Sequence, residues 1–175
     1  MRTTVLATAL VAILAGCQPA PAPADTAASS QVQSQADIAF SALAAKTLKQ
    51  WMALSPVAAT QIGEHSHDNR IDDVSADGIA ASAAQTQALL DELNAIDSAG
   101  LSRDNQVDAA ILRNQLEADL FRINTLADWQ WDPQFYSGLA GSALYGLMAR
   151  EFAPLPDRLR SATERMELIP QVLAA

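Results

Sequence analysis

The chain holds one cysteine, two histidines and few aromatic residues, and its basic side chains are outnumbered, with 11 Lys and Arg against 20 Asp and Glu. A single cysteine, Cys17, excludes an internal disulfide and a cysteine-rich metal site. A net charge of −9, with no basic patch interleaved with aromatics, makes the chain a poor nucleic-acid binder. Several catalytic signatures are missing: no His-Glu-x-x-His, no Gly-x-Ser-x-Gly, no Ser-x-x-Lys and no Walker-type Gly-Lys-Ser/Thr. β-Branched residues and glycines are sparse and alanine is abundant, a helical composition.

One long apolar run is present, "VLATALVAILA" from Val5 to Ala15, behind the short positive start of Met1 and Arg2. It is too short to cross a bilayer as a stable helix and suits the core of an export signal. "LAGC", Leu14 to Cys17, follows it and resembles the lipobox of bacterial lipoproteins. On that reading residues 1–16 are a signal peptide, and cleavage leaves Cys17 to carry fatty acids such as palmitate on its thiol and its new amine. Two or more acyl chains give stable membrane anchoring. Loss of Arg2 with the signal takes the net charge from −9 to near −10. Gln18, rather than Asp, follows Cys17, which in a two-membrane cell favours the outer membrane, facing the periplasm. Residues 17–35 are then a tether: Pro, Ala, Ser and Gln dominate, and Val32 is the one large apolar residue, too little to offset chain entropy.

Residues 36–175 amount to one domain at most. The expected fold is all-α, an antiparallel arrangement of helical hairpins. A first helix is expected over 36–54, capped near Ser34, with Ile38, Ala42, Ala45, Leu48 and Met52 near helical spacing and Phe40, Leu43 and Trp51 flanking. "SPVAATQIG" restarts the helix, with Ser55 placed to cap it, Pro56 at its first position and Gly63 at its end. Ser75 caps a helix over 76–96 and Ser102 one over 103–126; the short link between them implies a helical hairpin. "SGLAGSALYGLMAREF" carries three glycines and reads as a weak helix or a loop-helix mixture. A last helix begins near Pro154 or Pro156, with Pro170 expected to kink or restart it. The apolar "PQVLAA" after it reads as an unfinished helical pattern, so the segment is expected to be an incomplete part of a larger fold with a tendency to self-associate.

Both histidines fall in "GEHSHDNR", Gly63 to Arg70. His65 and His67 could supply two zinc ligands, with Asp68, Asp72 or Asp73 as a third. Against that, polar residues past a helix-ending glycine are the usual way to solvate a turn, and a protonated histidine there is favoured by the helix dipole.

The order of these features resembles the bacterial family called domain of unknown function 885. "SPVAATQIGEHSHDNRIDDVSADG" matches its N-terminal signature at Pro56, Ala59, Thr60, Gly63, His65, Asp68, Asp72 and Ser75. "LLDELNAID", "NQVDAAILRNQLE", "WDPQFY" and "RLRSATERMELIPQVLAA" look like its following segments, in order. The resemblance implies an exported, mostly helical lipoprotein related to zinc metallopeptidases, whose members are much longer and carry His-Glu-x-x-His in their C-terminal part. The catalytic machinery would then lie beyond Ala175, no catalytic residue transfers to this chain, and zinc and a peptide substrate belong to the full-length relatives. His65, His67, Asp68 and Asp72 become a signature turn, a candidate lining of a substrate channel. The alternative from another class is a non-enzymatic periplasmic helical module for binding or envelope structure.

Overall fold

The computed structural model describes residues 33–175, and among them six α-helices and no strand. The signal peptide, Cys17 and nearly all of the tether lie outside the described residues.

Helix α1, Gln35–Leu54, starts where Ser34 Oγ accepts the Asp37 amide, one residue before the expected start. Its inward face differs from the expected stripe. Asp37, Phe40, Leu43 and Thr47 are buried, while Ile38 and Leu48 stand about half exposed. The cause is polar: Asp37 Oδ1 accepts the Ser102 amide at 2.9 Å and the Asn105 side-chain amide at 2.6 Å, turning that face toward those two residues.

Helix α2, Pro56–Ile62, ends at Gly63 in the left-handed region with φ 94°. There the Gly63 amide reaches Thr60 O and the Glu64 amide reaches Ala59 O, closing the C-terminal carbonyls. Ser55 makes no side-chain cap; Asp72 Oδ1 accepts the Val57 amide at 3.1 Å and takes that role. α3, Ala76–Asn94, and α4, Arg103–Phe121, are capped by the Ser75 and Ser102 hydroxyls, as expected. Beyond α4 the expected helical residues continue as a π-helical turn, Arg122–Leu126, closed by Ala127 at φ 46°.

The three glycines of "SGLAGSALYGLMAREF" lie in one continuous helix, α5, Pro133–Met148, started by an Asp132 cap and Pro133, and the last four residues of that stretch, Ala149 to Phe152, lie beyond the helix. Packing against the helix that follows it outweighs the poor helix propensity of its glycines. α6, Leu155–Leu173, runs through Pro170.

Phe40 and Leu43 of α1, Leu89, Leu90 and Leu93 of α3, Leu101, and Ala109 and Leu116 of α4 form one apolar cluster. A second set of buried residues comes from α2, α5 and α6: Val57, Ala59, Ala143, Leu147, Ala162 and Val172. Two arginines share this second region. Arg158, 7% exposed, donates to the Leu147 and Met148 carbonyls at the C-terminus of α5, where a cation also meets the negative end of the helix dipole. Arg165 is 0% exposed.

Candidate functional site

The signature turn wraps around Arg165. Its Nε donates to Arg70 O at 2.8 Å and its Nη1 to Ala143 O at 2.9 Å. Nη2 donates to Pro56 O at 3.1 Å, to the Thr60 hydroxyl at 2.7 Å and, more weakly, to His67 O at 3.4 Å. One side chain on α6 thus fixes α2, the turn after it and α5. A buried cation needs hydrogen bonds and charge compensation. Carbonyls and a hydroxyl supply the first; Asp68 and Asp72 supply the second. Burial pushes the Arg165 guanidinium below the ordinary arginine range, and the two carboxylates pull it back up.

Asp68 is the next layer. Its Oδ1 accepts the Thr60 hydroxyl at 2.6 Å and its Oδ2 accepts His65 Nδ1 at 2.9 Å. The His65 ring lies flat on Phe152, with centroids 3.6 Å apart and planes 8° from parallel, which ties the turn to the α5–α6 connection. Asp72, capping α2, has its carboxyl raised by burial, against the opposing pull of the Val57 amide and the Arg165 charge. The Glu64 carboxyl is lowered by the Ser66 hydroxyl and amide, a bond local to the turn.

His65 and Asp68 therefore meet, as do Asp72 and the start of α2. The His67 imidazole makes no hydrogen bond among the described residues; only its carbonyl reaches Arg165. Among the described residues no three of His, Cys, Asp and Glu lie close enough together to hold a metal ion. A carboxylate holding Nδ1 of a histidine is the orienting half of a general-base arrangement. The other half is missing: no hydroxyl or thiol is bonded to His65 Nε2 among the described residues, and Phe152 covers one face of the ring. A shallow groove of about 400 Å³ runs beside the turn, between Asp72, Asp73 and Val74 and the α6 residues Leu168 and Val172. Cys17 lies outside the described residues.

Arg165 and Phe152 are the members of this site that the sequence pattern did not single out. One signal for Arg165 exists: Arg158, Ala162, Arg165, Ile169 and Val172 repeat at intervals of four and three, so both arginines sit in phase with an inward stripe.

The family model for bacterial proteins of unknown function, DUF885, matches residues 56–175. A solved structure from Shewanella oneidensis, described as a candidate lipoprotein of unknown function, is similar at 30% identity with a TM-score of 0.72. The match covers 78% of this chain and 24% of that one, so the chain spans about a quarter of that relative's length. No curated protein matches.

Proposed function

Because the chain belongs to the bacterial family of proteins of unknown function DUF885, we propose that it is the lipid-anchored N-terminal scaffold of an envelope protein related to zinc metallopeptidases. The observation carrying the scaffold reading is the fate of the polar groups in the signature turn. Asp68 is spent on Thr60 and His65, Asp72 on the α2 amide, and the turn carbonyls on Arg165. A zinc hydrolase needs a ligated metal with an open coordination position and a general base. One guanidinium on α6 instead holds α2, the turn and α5 together, which fits a part that shapes a fold and leaves the chemistry to other residues.

Anchoring rests on different residues. "LAGC" ends an apolar run of lipoprotein-signal length, and no helix of the described residues is long and apolar enough to cross a membrane. The similarity to the Shewanella oneidensis protein supports an envelope location. The test is expression of the full chain with labelled palmitate. Label in the membrane fraction and its loss in Cys17→Ser, with accumulation of unprocessed precursor, are expected; unchanged processing and anchoring in Cys17→Ser contradict the reading.

A further inference from the structure

α5 contains no charged residue in 16 positions, PQFYSGLAGSALYGLM. A helix without a charged face belongs in the interior of a fold. Yet one side of α5 is open: Gly138, Gly141, Tyr145 and Met148 follow one another at intervals of three and four and are all exposed, Tyr145 at 73%. Nothing within the described unit requires the first two glycines. Neither has positive φ, and a Cβ on either would meet no atom within 4 Å. Glycine disfavours helix relative to alanine, so two gratuitous glycines on a bare face serve something that comes close to the backbone.

The helix packed against it, α6, has a matching surplus. Leu155, Leu159, Met166 and Leu173 lie along one flank of α6 at coiled-coil spacing, each about half exposed, while its inward stripe includes Arg158 and Arg165 beside Ala162 and Val172. Both surfaces occur in a unit that retains its fold, at 30% identity, within a relative whose chain has another three quarters of its length to place.

We propose that these faces of α5 and α6 are docking surfaces for a further helical polypeptide equivalent to the remainder of that relative, with close backbone approach at Gly138 and Gly141 and side-chain interdigitation along Leu159 and Met166. This deepens the scaffold reading and rests on it. The partner is identified by its chemistry: an apolar helix with small or flat side chains against α5, and a heptad-patterned apolar helix against α6.

The test compares thermal melting of the full chain in mild detergent with that of a chimera in which residues 33–175 replace the matched quarter of the Shewanella oneidensis protein. In the full chain, Gly138→Ala with Gly141→Ala raises Tm by several degrees, and Leu159→Glu with Met166→Glu moves it by less than about 2 °C. In the chimera each pair lowers Tm by roughly 5 °C or more, because a cover now meets the new Cβ atoms and buries the new charges. A glycine pair that stabilises the chimera too, or a chimera without a cooperative transition, overturns the proposal. A full chain that is a stoichiometric dimer by light scattering, made monomeric by Leu159→Glu with Met166→Glu, also overturns it and assigns the surface to a second copy. Palmitate labelling at Cys17 is independent of all these outcomes.

Discussion

Arg165 Nη2 donates to the Thr60 hydroxyl at 2.7 Å, joining positions 105 residues apart inside the protein. The same hydroxyl donates to Asp68, so the buried cation and the carboxylate share one oxygen between them. Arg165→Leu strips donors from the carbonyls of Arg70, Ala143 and Pro56 and leaves Asp68 and Asp72 without their cation. We expect a loss of about 3–5 kcal/mol in urea unfolding, the range for removing one partner of a buried charge network. Arg165→Lys recovers little, because an ammonium cannot span the same fan of acceptors.

Asp37 gives the fold an acid-sensitive joint. The Ser102 amide, then the Asn105 side chain, hold its carboxyl at about 2 against an ordinary 3.8. A depressed folded pKa stabilises the fold fully above the unfolded value, and that contribution is lost as pH falls through the folded value. The stability difference between wild type and Asp37→Asn is therefore constant above pH 3.8 and shrinks from there down to about pH 2. Asp72 has the opposite sign: burial raises its carboxyl, so its protonation relieves a penalty as pH falls.

Much of this architecture follows from local chemistry that the sequence displays. Ser34, Ser75 and Ser102 cap the helices they precede, Pro56 opens α2, and Gly63 closes it in the left-handed region. What local chemistry could not display is the result of distant partners. The rotation of α1 is set by Asp37 reaching Ser102 and Asn105, 65 and 68 residues away. The α2 cap comes from Asp72 rather than the adjacent Ser55. Within "GEHSHD", the pairing of His65 with Asp68 spans three residues and lies within reach of a sequence argument, but its purpose depends on Arg165 and Phe152, which only folding brings there. By hydrophobic pattern an arginine belongs outside and a leucine inside, and α6 reverses this at Arg165 and Leu159.

Two residues in the left-handed region give a paired prediction of opposite sign. Gly63 holds φ 94° without strain, whereas Ala127 holds φ 46° with a Cβ opposed to it. Gly63→Ala destabilises by about 1 kcal/mol and Ala127→Gly stabilises by roughly 0.5–1 kcal/mol. Thermal melts of the two variants beside wild type check both.

The most direct test of the claim that the signature turn is a structural joint is a metal count. The full chain is incubated with zinc, passed through a desalting column, and its zinc per chain measured by elemental analysis. A turn whose carboxylates are committed to Thr60, His65 and Val57 retains well below one zinc per chain, and His65→Ala leaves that value unchanged. One zinc per chain, lost in His65→Ala, contradicts the account and makes the turn a metal site.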